Sequence, residues 1–232
     1  MRGKRVEGKP VEPGGQKRGV RSSQPGAASV SKGASKAPKA SGRFARAPAQ
    51  VRIIGGRWKR TPLPVAEAPG LRPSADRVRV TVFNWLAHLV PDLDQCSGLD
   101  LFAGTGALGF ELSSRGAARV TLVERNPALV VRLQRMKEKL GAEAVAIIAG
   151  DALAYARSAR DRSFDIVVLD PPFDGDLLPP ALAEAGRLVT PGGVVYAESA
   201  APLESAVAAD CGLRIVRAGR AGQVHFHLLQ RA

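Results

Sequence analysis

From Gly98 onward the chain alternates short apolar runs with helix-like stretches, a rhythm that few folds accommodate. "LDLF" (99–102), "RVTLVE" (119–124), "AVAIIA" (144–149), "FDIVVLD" (164–170) and "GGVVYAES" (192–199) read as strands. Between them "ALGFELSSRG" (107–116), "PALVVRLQRMKEKLG" (127–141), a short stretch after Asp151 and part of "LLPPALAEAGRLV" (177–189) read as helices. Strands separated by helices imply a mostly parallel sheet covered on both faces. The end breaks the rhythm. "GLRIVRAGRAGQVHFHLLQ" (212–230) holds two apolar runs split by "AGRAGQ", which reads as a hairpin and sends the last strand antiparallel.

The expected fold class is therefore α/β: a doubly wound, Rossmann-like, mostly parallel seven-stranded sheet with an antiparallel last strand. A small N-terminal β-hairpin/helix extension precedes it. "VRIIGGRWKRTPLPV" (51–65) carries two apolar stretches around Gly55-Gly56, a hairpin signal. In "GLRPSADRVRVTVFNWLAHLV" (70–90), Ser74 is placed to cap a helix and Asp76 to complement its dipole. Val78, Val82, Trp85, Leu86 and Leu89 then recur at helical steps, and Pro91 ends the pattern.

Charge divides the chain further. Residues 1–50 hold 12 Lys/Arg against 2 Asp/Glu, residues 51–90 hold 7 against 2, and residues 91–232 hold 15 against 17. The first fifty residues also contain no Leu, Ile, Trp, Tyr or Cys and a single Phe, too little apolar surface to offset ordering entropy. Three regions follow: a disordered basic tail (1–50), a basic hairpin and helix (51–90) that the resemblance drawn below turns toward RNA, and a cofactor-binding domain (91–232). Basicity confined to the first ninety residues implies a polyanionic partner met by that end. No run of eighteen apolar residues exists, and no apolar block follows the N-terminal charges. Neither a membrane span nor a secretory leader is expected. Cys96 and Cys211 form no CxxC pair and read as reduced thiols of a cytoplasmic protein. His225 and His227 read as strand residues, because no further ligand lies near them in sequence, and no metal is expected.

Chemistry concentrates at the strand ends. "LDLFAGTGALGF" (99–110) leaves a strand and opens a helix, with Gly104 and Gly106 at the turn. Glycine there permits close backbone approach to a dinucleotide or to S-adenosylmethionine. Asp100 stands just before the turn, Glu124 ends the second strand and Asp151 follows the third. Such acids can accept hydrogen bonds from ribose hydroxyls and an adenine amine. Gly109 completes a formal GxGxxG, so the turn alone does not separate a dehydrogenase from a methyltransferase.

The fourth strand separates them. Asp170 is followed by Pro171, Pro172 and Phe173. The prolines fix φ and lack an N–H, leaving carbonyl acceptors beside the carboxylate. Acceptors next to an aromatic plate suit a planar base with an exocyclic amine, whose two hydrogens they grip while the lone pair turns toward an electrophile. A dehydrogenase has no comparable use for them.

These residues carry a resemblance. "DLFAGTGALGFE", "VTLVE" and "DPPF" resemble class I S-adenosylmethionine-dependent methyltransferases acting on exocyclic amines. "RIIGGRWKRTPLPV", "GLRPSADRVRVTVFNWL" and the final "AGQV" resemble the bacterial ribosomal RNA small-subunit methyltransferase D family, over about residues 51–230. That resemblance implies methylation of a guanine N2 amine in 16S rRNA, on free RNA, an assembly intermediate or the small subunit, by a monomer with no membrane partner. It assigns cofactor contacts to Asp100, Phe102, Gly104, Gly106, Glu124, Asp151 and Ala152, and the amine to Asp170, Pro171, Pro172 and Phe173. Arg52, Arg57, Lys59, Arg60, Arg72 and Arg77 become candidate RNA contacts. Ser74 and Val80 depart from the family pattern, which has a threonine and a glutamate there. DNA adenine N6 and protein glutamine remain alternative amines, and a non-enzymatic RNA-binding protein is the reading from another class.

Overall fold

The computed structural model describes residues 50–65, 76–173 and 176–231. The expectations of a disordered tail, of Ser74 as a cap and of Arg72 as an RNA contact lie outside the described residues. Two short strands, β1 (Gln50–Arg52) and β2 (Pro62–Pro64), pair antiparallel, and α1 (Asp76–Leu89) follows. Then β3 (Ser97–Asp100), α2 (Ala107–Ser114), β4 (Arg119–Glu124), α3 (Pro127–Leu140), β5 (Val145–Ala149) and α4 (Ala152–Ser158) alternate. β6 (Phe164–Leu169), α5 (Leu178–Leu188), β7 (Val189–Ser199), α6 (Ser205–Asp210), β8 (Leu213–Ala221) and β9 (Val224–Arg231) complete the order.

The seven strands of the main sheet lie in the order β5-β4-β3-β6-β7-β9-β8. All pair parallel from β5 to β7, and β9 runs antiparallel between β7 and β8. The doubly wound sheet with its antiparallel last strand is as the sequence predicts.

Local chemistry explains the helix ends. Asn126 caps α3 by accepting the Ala128 N–H at 2.9 Å, Pro127 opens it, and Gly141 closes it at φ 58°. The sheet is buried on both faces. Val78, Phe83, Phe110, Leu122 and Leu133 belong to one apolar cluster; Leu99, Val167, Leu182, Leu188 and Ala208 belong to the other. Val51, Ile53 and Leu63 of the N-terminal hairpin join the first cluster, so the hairpin and α1 share a core with α2.

Sheet order reverses direction between β3 and β6, which are direct neighbours with Asp100 level with Val168. A crevice at the carboxyl ends of two such strands is where open α/β sheets hold ligands. Asp100 and Asp170 stand on its two sides, Asp170 two residues beyond the register partner of Asp100.

Candidate active site

The glycine turn is built from β3, α2 and the end of β4. Gly104 (φ 53°) and Gly106 (φ 77°) occupy left-handed conformations that side chains strain to adopt. Gly109 serves a different purpose, because a Cβ there would lie 1.9 Å from Leu122 Cδ2. It lets α2 settle on β4. The Gly104 N–H donates to Glu124 Oε2 at 2.8 Å and the Asn126 N–H donates to Oε1 at 2.7 Å. One carboxylate thus ties the turn to the next strand–helix junction. Asp151 caps α4, accepting the Ala154 N–H at 2.9 Å, and Ala152 behind it is buried.

Asp100 is 1% exposed. Its Oδ2 accepts the Gly109 N–H at 3.1 Å, while Oδ1 has no hydrogen-bond partner among the described residues. Burial pushes this carboxyl up to about 7, against the opposing pull of the Gly109 and Phe102 amides, and the Glu124 carboxylate adds to the rise. A raised folded value means the folded chain binds the proton more tightly than the unfolded chain. The associated stability is present below the unfolded value of 3.8 and is lost as pH climbs to about 7. The cofactor-free protein should therefore lose on the order of 4 kcal/mol between pH 4 and pH 8 relative to an Asp100→Asn variant. Denaturant midpoints of the two proteins across that range measure it. Parallel curves would show that Asp100 does not titrate this way.

Across the crevice, Pro171 is buried, Pro172 half-buried and Phe173 39% exposed. Phe173 lines a cleft of about 240 Å³ with Ala200, Arg220, Gln223, Val224 and His225. Under Asp170, the buried Tyr196 hydroxyl donates to Glu198 Oε1 at 2.6 Å. Burial holds the Tyr196 phenol well above its usual range, and the Glu198 and Asp170 carboxylates reinforce this. His227 is a structural residue whose Nε2 accepts the Leu203 N–H at 3.2 Å.

The N-terminal basic segment is fastened to α2. Fully buried Glu111 accepts the Ile54 N–H at 2.6 Å, the Gly55 N–H at 2.8 Å and Arg115 Nε at 2.7 Å. A Cβ at Gly56, whose φ is 73°, would lie 1.9 Å from the Ser114 carbonyl oxygen. The two glycines lie in the loop that closes the β1–β2 hairpin. They let the connection between β1 and β2 press against the end of α2. Arg57, Lys59 and Arg60 stand exposed on that connection, and Arg77 is exposed on α1. Arg52 is also exposed, with its Nε donating to Asp76 Oδ2 at 3.0 Å.

Comparison with known proteins decides the relationship. Residues 51–230 match the family model described as Conserved hypothetical protein 95. Ribosomal RNA small subunit methyltransferase D of Escherichia coli K12 is 40% identical over 189 residues, covering 78% of this chain and 90% of the relative. The chain belongs to the ribosomal RNA small subunit methyltransferase D family. The Haemophilus influenzae relative of the same name is 37% identical, over 65% of this chain and 79% of its own length. Among solved structures, yhhF of E. coli superposes with a TM-score of 0.67 at 34% identity, covering 78% of this chain and 98% of that one. A TM-score of 0.60 at 20% identity with a Pyrococcus horikoshii protein marks the fold alone.

Within this chain, the sheet brings Asp100, Phe102, Gly104, Gly106, Glu124, Asp151 and Ala152 to one edge, with Asp170 to Phe173 beside them. Val80, where the family pattern has an acid, is 39% exposed. Sequence reading missed four residues. Glu111 looks like an ordinary polar position of α2. Arg79, two residues after the exposed Arg77, is fully buried and donates to Asp76 Oδ1 at 2.7 Å and to the Arg52 carbonyl at 2.9 Å. Its helical phase, one turn before Phe83, was a usable signal. Arg220 and Gln223 sit in the C-terminal hairpin, which reads from sequence as scaffold.

Proposed function

We propose that this chain methylates the N2 amine of a guanine in the 16S rRNA of the small ribosomal subunit, with S-adenosylmethionine as donor. The observation that carries the reading is the position of Asp170-Pro171-Pro172-Phe173 just past the end of β6, on the strand next to β3 and two residues beyond the register partner of Asp100. The family's named relatives support a ribosomal RNA substrate.

The residues fit that cofactor. A buried acceptor, Asp100 Oδ1, has no hydrogen-bond partner among the described residues and lies beneath a turn whose Gly104 and Gly106 hold left-handed conformations. Glu124 would accept from the ribose hydroxyls with the lone pairs its two amide bonds leave, and Asp151 would take the adenine amine. When bound, the cofactor supplies an electrophilic methyl group on a sulfonium. Asp170 and the Pro171 carbonyl would accept from the two amine hydrogens, since a carboxylate has room for several donors. Their fixed positions would stabilise the positive charge that grows on nitrogen. Phe173 would stack the extruded base, contributing about 1–3 kcal/mol against the few needed to unstack it. The tail (1–50) and the segment 51–90 would hold the phosphates, leaving methyl transfer to residues 91–232.

The test is transfer of labelled methyl from S-adenosylmethionine to undermethylated small subunits and to free 16S rRNA, with the modified nucleotide mapped. Label in N2-methylguanine is expected. Label confined to DNA adenine or to protein would overturn the reading.

A further inference from the structure

We infer that the turn joining β8 to β9 forms a wall of the base-binding cleft, with Gln223 reading the base edge and Arg220 holding a neighbouring phosphate. This rests on the RNA-methylation reading above and adds residues to it. The cleft beside Phe173 is bounded by Arg220, Gln223, Val224 and His225, all from this hairpin. Its volume of about 240 Å³ leaves room for a single extruded base beside Phe173. Arg220 also borders a second hollow of about 210 Å³, which it shares with Arg77, Thr81 and Trp85 of α1. One guanidinium therefore stands between Arg77 of α1 and the Phe173 ring of the site.

The wall is rigid. Ala221 pairs with Val224, so Gly222 and Gln223 alone make the turn, and Gly222 supplies the positive φ of 62°. β9 is paired to β8 from Val224 to Arg231 and to β7 from His225 to Gln230. Phe226 packs on Trp85 of α1 with ring centroids 5.5 Å apart, and a Cβ at Gly219 would meet that Phe226 ring at 2.4 Å. Arg220 Nε donates to the Gly222 carbonyl at 2.8 Å, which holds the side chain over the turn. Arg220 forms no ion pair with a carboxylate among the described residues, leaving its charge for an anion. Gln223 is exposed at the tip and offers a donor and an acceptor together, which a Watson–Crick edge requires.

Full-length Arg220→Ala, Gln223→Ala and a control, Arg214→Ala, separate the possibilities. Arg214 lies on the same edge strand six residues away, about 20 Å. All three variants should bind S-adenosylhomocysteine as the parent does. Arg220→Ala should reduce the slope of log affinity for small-subunit RNA against log salt by about 0.7–0.9, and Arg214→Ala should not. Gln223→Ala should lower kcat/KM roughly ten- to hundredfold and send methyl groups to other guanines. Parental slope and parental kcat/KM in the two test variants would overturn the inference while leaving the RNA reading intact. Failure of the parent to methylate RNA would remove the reading, and this inference with it.

Discussion

Replacing Asp170 with alanine is expected to cut the rate of methyl transfer by roughly 10²–10³ while S-adenosylhomocysteine binding stays near parental. The carboxylate would act on the amine as nitrogen becomes positive, so its loss should fall on kcat rather than on cofactor affinity. Asp170→Asn keeps an acceptor but loses the charge, and should fall between the two. Asp170 stands half-buried at the end of a strand whose last four residues are buried, so thermal midpoints should accompany the kinetics. Single-turnover rates on small subunits give the answer. A folded Asp170→Ala protein with near-parental turnover would remove Asp170 from the chemistry.

The second large effect is on stability. Glu111→Ala should destabilise the fold by about 3–5 kcal/mol, the range for removing one member of a buried charge network. Three donors lose their acceptor: the Ile54 and Gly55 amides and the Arg115 guanidinium. Arg79 NH1, 4.0 Å from Glu111 Oε2 and fully buried, loses a carboxylate neighbour. Burial already pulls the Arg79 guanidinium below its ordinary value, with Asp76 and Glu111 opposing that pull. Denaturant unfolding of the two proteins measures the loss. A difference under about 1 kcal/mol, the scale of a surface pair, would mean that the network is not the clamp it resembles. Where Glu111→Ala still folds at low temperature, RNA affinity should fall further than cofactor affinity, because the loosened segment carries Arg57, Lys59 and Arg60.

Particular residues show what a sequence can tell. Glu124 and Asp151 were legible because each stands where an apolar run stops, and runs bounded in this way become strands whose ends face one crevice. Asp170 was legible for the same reason, with prolines to mark the stop. Glu111 was not. Its burial depends on a hairpin 56 to 57 residues upstream folding back over α2, and no local pattern encodes that closure. Gly55 and Gly56 were read as a hairpin signal and do lie in the β1–β2 loop, but their close approach to the end of α2 was not foreseen. A glycine pair signals a tight turn, a close approach of two backbones or both, and only the partner, Ser114, reveals the second. Arg79 was passed over because a charged residue was not counted on the apolar face. The apolar face was read as Val78, Val82, Trp85, Leu86 and Leu89; Val78, Val82 and Leu86 are buried and Trp85 and Leu89 pack partly buried against the same core, but Arg79 and Phe83 on the buried side were left out.

The clamp on Glu111 has a mechanical consequence. α2 begins at the turn where the cofactor would sit and ends at Ser114, whose carbonyl receives the Arg57 N–H at 2.6 Å. Its eight residues span about 12 Å and work as a gauge block between the two halves of the task. One residue added within the helix before Glu111 would swing the carboxylate by about 100° and lift the basic loop off its seat. Loops elsewhere in the chain can lengthen or shorten at little cost, whereas the length of this helix is set by the distance it has to hold.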